Sequence, residues 1–216
     1  SIMLIASSIG NSIACTTLLY TDANGKAYVG KSMEFSAAEP DHLTYYPVGT
    51  HFASVTPDAK PGLAFNTKFS ILSTSAKKGI IPNDSHETLL DAMNDQGLTL
   101  SMQSLGGNKS PDVSRVPQDK IISGADFGAW ALGNFTTVAQ VKRAIENKEV
   151  EFWLPTAPIL GPSPFPVHYA LFDRSGDGIV IEWASGKTEV YDNPVGVMTN
   201  NPPFPWHLQN MNNFSY

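Results

Sequence analysis

The 216-residue sequence is poor in cysteine, in charge and in long apolar runs. Its single cysteine, Cys15, excludes an internal disulfide framework and a thiolate-rich zinc site. No segment approaches the ~18 to 20 apolar residues that a transmembrane helix needs. Lysine and arginine number 14 against 20 acidic residues, which gives a net charge of −6, and they form no cluster. We therefore expect neither a membrane span nor a nucleic-acid partner.

Several catalytic signatures are missing as well. The sequence contains no G-x-S-x-G elbow, no phosphate-binding P-loop and no H-E-x-x-H zinc pair. Its five histidines show no metal-ligand spacing, so we interpret each as a surface or structural residue. Asp173 and Asp177 in DRSGDG resemble part of a calcium loop, but a hairpin turn explains them better. These patterns predict no metal site.

Short β-prone runs joined by tight turns predict antiparallel sheets. Residues 16–20 and 27–31 flank Asn24-Gly25, a dipeptide typical of a hairpin turn. Residues 88–93 and 98–103 repeat the pattern around a second turn. The first hairpin carries Cys15 at the free end of its first strand.

Strands and helices occur in separate blocks along the rest of the chain. Residues 168–198 read as a meander of four strands, and spaced apolar residues predict a helix over 125–132. Thr137 and Gln140 fit a capping box that opens a second helix. The proline-rich stretch 152–166 is predicted to be a loop that packs on the core or lines a pocket. The pattern as a whole indicates a single α+β domain.

Residues 1–14 differ in composition from the rest of the chain. An apolar start, followed by small residues three and one positions before Cys15, fits a signal peptidase site. An export signal would place the protein in the periplasm or outside the cell, whereas an ordinary strand or pro-segment would leave a cytoplasmic location open. We therefore divide the chain into a signal or pro-segment remnant, residues 1–14, and a domain, residues 15–216.

Three interpretations of Cys15 are open: a small core residue, a lipid anchor and a nucleophile. If the chain before it is cut, the thiol and a terminal amine of pKa ~7.7 to 8 lie on one residue, which can then act as nucleophile and base. Lys31 and Glu34 are the nearest charged candidates. Being three residues apart, they would point to opposite faces of a regular strand, so joint contact with Cys15 requires a bend near Glu34. The alternative for this pair is a solvated strand edge.

Four stretches carry a resemblance to a known family: CTTLLYTDANGKAYVGKSMEF, DAMNDQGL, HYALFDRSGDGIVIEW and GVMTNNPPFPWHLQNMNNF. They resemble the choloylglycine hydrolase family, which includes penicillin V acylases and conjugated bile salt hydrolases. The resemblance covers residues 15–216 in collinear order. Its most specific part is the V-M-T-N-x-P block followed by W-H-x-x-N behind an Ala-Cys junction.

The resemblance implies a four-layer αββα N-terminal nucleophile hydrolase fold, with two antiparallel sheets between helices. It also implies cleavage of a linear, non-peptide C–N amide through an acyl-cysteine, without metal or organic cofactor. The expected substrate is a small-molecule amide with an apolar acyl group, of the penicillin V or conjugated bile salt type. Two alternatives stay open: an acylase for fatty-acyl amides or acyl-homoserine lactones, and an inactive, truncated relative that only binds hydrophobic acids or a partner chain.

Site residues follow from the resemblance by position. Cys15 is the nucleophile, and Asn200 offers its side-chain amide to the oxyanion. Ser104 falls where the family has a tyrosine or asparagine as the second oxyanion contact, and its backbone N–H would survive that change. Lys31 replaces the family's usual arginine and Glu34 its usual aspartate, so the hydrogen bonds around Cys15 are expected to be rearranged.

Family chains continue past the W-H-x-x-N block and bring another arginine to the cysteine. We therefore expect the fold to lack its C-terminal part here. Removal of residues 1–14 by a signal peptidase or by autoprocessing is expected to activate the cysteine, and a homo-oligomer stays open as the assembly state.

Overall fold

The computed structural model describes residues 15–34, 42–79, 86–157 and 161–213. Its strands are β1 (Thr16–Thr21), β2 (Ala27–Ser32), β3 (His42–Tyr46), β4 (His51–Val55), β5 (Pro61–Asn66), β6 (Ile71–Ala76), β7 (Thr88–Asn94), β8 (Thr99–Ser104), β9 (Ile121–Ser123), β10 (Glu151–Trp153), β11 (Val167–Phe172), β12 (Gly178–Glu182), β13 (Glu189–Asp192) and β14 (Val197–Thr199). Its helices are α1 (Phe127–Asn134), α2 (Val138–Glu146) and α3 (Phe204–Asn212). Among these described helices, none has the length and apolar content to cross a bilayer.

Two antiparallel sheets organise the structure. The large sheet has seven strands in the order β13-β12-β11-β8-β7-β6-β3, and the small sheet has three in the order β14-β1-β2. Two strand pairs stand apart from them: the antiparallel hairpin β4–β5 and the parallel pair β9–β10. The predicted α+β class with antiparallel sheets is confirmed.

Side chains alternate along each strand, so the large sheet has two faces. The helix-side face packs against α1 and α2 and is defined by Leu100, Tyr169, Leu171, Ile179 and Ile181. The inner face is directed at the small sheet and is defined by Asp91, Ser101, Gln103, His168 and Ala170. The two sheets meet where Thr17 Oγ1 lies 3.2 Å from Ser101 Oγ, both groups being buried. The described layers therefore run from helices to large sheet to small sheet.

Local sequence explains both outer helices. The Thr137 hydroxyl accepts a hydrogen bond from the Gln140 N–H, and Gln140 Oε1 accepts one from the Thr137 N–H. This is the predicted capping box. Val138, Val141 and Ile145 are buried on one side of α2, as their spacing predicts. Helix α1 has no polar side chain before Asn134 at its end, so it can be buried on all sides, and nearly all of it is.

Most predicted strands form, and two predictions need correction. The first hairpin turns at Asn24-Gly25, where Gly25 adopts φ +78°, a conformation open to glycine. The predicted four-strand meander is wrong in its last strand, because β14 leaves the large sheet and pairs with β1. The range 152–166 is not wholly loop, since β10 extends into it, while Phe165 is buried in the core.

Candidate active site

Cys15 lies directly before β1, at the place where the two sheets meet. Its side chain is buried, with 6% of the residue exposed, and it falls on the inner side of β1 because it precedes Thr17 by two residues. The thiol donates to the backbone carbonyl of Glu34 across 3.8 Å. The Cys15 carbonyl accepts from the Thr199 hydroxyl at 2.8 Å. The cysteine is therefore held from two sides, by β14 and by the segment that follows β2.

Antiparallel pairing brings Asn200 to the cysteine. Thr16 of β1 pairs with Thr199 of β14, so the next pair outward sets Cys15 opposite Asn200. Asn200 in turn reaches the large sheet, where its Oδ1 accepts from the Ser104 N–H at 3.0 Å. The next residue is fixed similarly, since Gly106 N–H donates to Asn201 Oδ1 at 2.8 Å.

The Ser104–Asn200 bond defines which end of the asparagine side chain is the donor. Its amide oxygen is turned toward Ser104, so its Nδ2 group is the end that donates hydrogen bonds. The Ser104 N–H, assigned from sequence to the oxyanion, is engaged with Asn200 in this structure. The two residues assigned to the oxyanion thus contact one another.

Lys31 is fixed between the sheets. It lies opposite Thr17 in β2, and its side chain is only 9% exposed. Its Nζ donates to Asp91 Oδ2 and to the Met102 carbonyl, each at 2.7 Å. The ammonium therefore sits in an ion pair with the large sheet, and its two described acceptors differ from the acceptor of the Cys15 thiol.

Glu34 meets the cysteine through its backbone. Strand β2 stops at Ser32, so Glu34 lies beyond regular pairing. Strand alternation therefore does not fix the direction of Glu34. Its carbonyl oxygen accepts the thiol hydrogen bond, and the residue is exposed.

Two contacts were missing from the sequence interpretation: Asp91 beneath Lys31, and Thr199 on the Cys15 carbonyl. Asp91 carries a signal that could have been used. It is a carboxylate in the middle of a strand, with apolar residues on both sides of it in the sequence, and such a group needs a cation or a donor close by when one face is covered. Its partner lies 60 residues away in the chain, so the pairing itself could not be read locally.

The arrangement offers a thiol, a side-chain amide donor and a fixed ammonium on the inner side of the small sheet. Among the residues whose positions are described, no cluster of three His, Cys, Asp or Glu side chains is placed to hold a metal ion. The groups present are those of thiol-based acyl transfer.

Comparison with known sequences gives a family match. The model of the choloylglycine hydrolase family, described as linear amide C–N hydrolases, matches residues 15–216 and so begins at Cys15 itself. The bile salt hydrolase/transferase of Lactiplantibacillus plantarum is 30% identical over 207 residues, covering 93% of this chain and 56% of that protein. The penicillin V acylase of Pectobacterium atrosepticum is 25% identical, covering 96% of this chain and 55% of that protein.

Solved structures give the same match at the level of fold. Two variants of the conjugated bile acid hydrolase of Clostridium perfringens align with TM-scores of 0.73 and 0.74, at 26% and 25% identity. Each alignment covers 93% of this chain and 57% of the solved one. The chain thus spans a little over half the length of the relatives it matches.

Proposed function

Since the chain belongs to the choloylglycine hydrolase family of linear amide C–N hydrolases, we propose that Cys15 is the nucleophile that cleaves a small-molecule amide. The observation that carries this proposal is the register of β1 and β14, which sets the buried thiol-bearing residue opposite Asn200. A nucleophile and an oxyanion donor must flank one acyl carbon, and adjacent strands of a sheet keep such a pair at short range.

The proposed reaction has two halves. The thiol proton passes to the α-amino group of Cys15, and the sulfur attacks the acyl carbon to give a tetrahedral oxyanion that Asn200 Nδ2 stabilises by donating a hydrogen bond. The C–N bond breaks and the amine leaves with the proton. Water then adds to the acyl-cysteine, which releases the acid and restores the thiol.

Lys31 supplies positive charge to this face in our proposal. The two Clostridium perfringens variants carry a replaced cysteine and a replaced arginine whose numbers differ by 16, the same separation as Cys15 and Lys31. That spacing supports the correspondence of Lys31 to the arginine. Asp91 and the Met102 carbonyl fix the ammonium, which an unbranched lysine side chain would otherwise leave mobile.

The proposed substrate is an amide with an apolar acyl group. The relatives are named for bile salts and for penicillin V, which differ in their acyl groups and share a cleavable amide bond. We therefore propose a conjugated bile salt or a penicillin V type substrate. Fatty-acyl amides and acyl-homoserine lactones are the alternatives within this fold.

Activation is part of the proposal. While Ala14 is bonded to Cys15, the nitrogen that must accept the thiol proton is an amide without useful basicity. Hydrolysis of that bond consumes one water and yields the Ala14 carboxylate and the free amine. We propose that residues 1–14 are removed in this way, by a signal peptidase on export or by the thiol itself.

The test compares turnover of conjugated bile salts, penicillin V and an acyl-homoserine lactone by protein that begins at Cys15. The Cys15→Ala variant is expected to fall to the uncatalysed background. Ser185→Ala is a matched control that also removes one γ atom, from an exposed turn away from Cys15, and should stay within about twofold of the parent. Turnover that survives Cys15→Ala would contradict the proposal. The substrate class is assigned by the amide that the parent protein cleaves.

A further inference from the structure

Glu182 is a fully buried carboxylate that the reaction above does not use. It ends β12 on the inner face and is 0% exposed, as is its neighbour His168. Its Oε1 lies 2.8 Å from the His168 ring Nδ1. Burying a carboxylate is costly unless hydrogen bonds compensate, so its contacts indicate what it holds.

The same oxygen anchors the start of α3. Glu182 Oε1 accepts from the Phe204 N–H at 2.7 Å, and Phe204 is the first residue of that helix. The residue before it, Pro203, provides no side-chain cap. A carboxylate from another strand therefore takes the place of the missing cap and opposes the positive end of the helix.

Helix α3 is in direct contact with Asn200. His207, in the first turn of the helix, places Nε2 at 3.0 Å from the Asn200 carbonyl oxygen. Pro202 and Pro203 separate Asn200 from the helix, and their fixed φ angles leave little slack in the connection. A shift of the helix start is thus passed on to Asn200 by two routes.

We infer that Glu182, oriented by His168, is a positioning residue that sets the location of Asn200 through the N-terminus of α3. It touches no reacting atom. This inference deepens the proposed function, on which its catalytic consequence rests. Its structural consequence can be measured separately, in the hydrogen bonds that Ser104 and Gly106 donate to the Asn200–Asn201 segment.

Asp173 offers a matched control on the other side of the large sheet. It is also a buried carboxylate, and its Oδ2 accepts from the N–H of Val138, the first residue of α2, at 2.9 Å. The substitutions Glu182→Gln and Asp173→Asn each replace a helix-anchoring carboxylate by an amide of the same shape. Only α3 follows the Asn200 segment.

The experiment measures amide hydrogen exchange by NMR and steady-state turnover in both variants. In Glu182→Gln we expect the Ser104 and Gly106 amides to exchange at least about tenfold faster, and kcat to fall about 10- to 100-fold with KM little changed. In Asp173→Asn the exchange of the Ser104 and Gly106 amides and kcat should match the parent, even if its melting temperature falls as much as that of Glu182→Gln. A Glu182→Leu variant, which removes the acceptor, should enlarge both effects.

Equal exchange at Ser104 and Gly106 in Glu182→Gln, Glu182→Leu and Asp173→Asn would overturn the inference. So would faster exchange that leaves kcat at the parent value. Failure of the proposed function would be recognised by a different observation, namely turnover that survives Cys15→Ala. In that case the exchange rates would still decide whether Glu182 holds the Asn200–Asn201 segment.

Discussion

The two faces of the large sheet differ in what they bury. The helix-side face is closed by large apolar side chains, such as Phe127, Phe152 and Trp183, which are fully buried. The inner face also buries polar groups, including His168 and Glu182, the second of which contacts the start of α3. Apolar burial stabilises a fold without direction, whereas buried polar groups must be paired and so fix geometry. The larger apolar cluster thus lies on the helix-side face, whereas the candidate chemistry lies on the inner face beside a smaller apolar cluster.

Coverage of the inner face also changes across the sheet. One row of side chains runs from Phe172 through Met93 and Leu72 to Tyr45. Phe172 is buried beneath the small sheet and α3, while Tyr45 at the other end is 64% exposed. The three described strands of the small sheet therefore cover only part of the seven-stranded sheet.

The largest effect should come from the helix-side core. The centroid of the Phe127 ring lies 4.9, 5.5 and 6.4 Å from the ring centroids of Tyr169, Phe152 and Trp183, respectively. Phe127→Ala should lower the free energy of unfolding by about 3–5 kcal/mol, as measured by urea denaturation. Tyr45→Ala is the matched control on the inner face and should change it by less than about 0.5 kcal/mol. Similar losses in the two variants would remove the distinction between the faces.

A smaller effect is expected from the ion pair between the sheets. Lys31→Met removes a mostly buried cation from beside Asp91 and should cost about 1–3 kcal/mol in urea denaturation, because a partly buried carboxylate loses a charged donor. Lys187→Met, the same change at an exposed turn position, should be close to neutral. Equal stability of the two variants would mean that the pair contributes nothing to joining the sheets.

The smallest effect should depend on pH and comes from Glu87, which directly precedes β7 and contacts side chains of β3. Burial alone would raise the pKa of Glu87, but hydrogen bonds from Thr44, His42 and Tyr46 outweigh it and hold that pKa below its ordinary value. A lowered folded-state pKa stabilises the fold above the unfolded pKa of about 4.3, and the stabilisation disappears as the pH falls through the folded value.

The measurement is denaturation of Glu87→Gln from pH 7 to pH 3. The variant should be about 1 kcal/mol less stable than the parent at pH 7, and the difference should shrink below pH 4.5. A difference that stays constant over this range would contradict the assigned cause. The neighbouring inner-face residue Leu43, 74% exposed, gives the control Leu43→Ser, for which no such pH dependence is expected.

Local features of the fold were predictable from the sequence, and long-range pairings were not. The Asn24-Gly25 turn fixes the first hairpin because only residues tolerant of positive φ suit it, and Thr137 with Gln140 fixes the start of α2. The departure of β14 to pair with β1 could not be read from either strand, since both are short and their periodicity does not name a partner.

The candidate site shows the same division. The position of Cys15 before a strand, and the resemblance around Asn200, could be taken from the sequence. The contacts of Lys31 with Asp91 and of Glu182 with α3 depend on which strands face each other across the sheets. Such contacts join residues far apart in the chain, so only the three-dimensional arrangement reveals them.

The central claim is that a small-molecule amide acylates Cys15 once the residue is N-terminal. The direct measurement is mass spectrometry of protein quenched in acid during turnover of penicillin V or a conjugated bile salt, followed by peptide mapping. We predict an acyl adduct on the peptide that begins at Cys15, and no adduct when residues 1–14 remain attached. Product formation with no adduct at Cys15, at a rate unchanged by Cys15→Ala, would contradict the account.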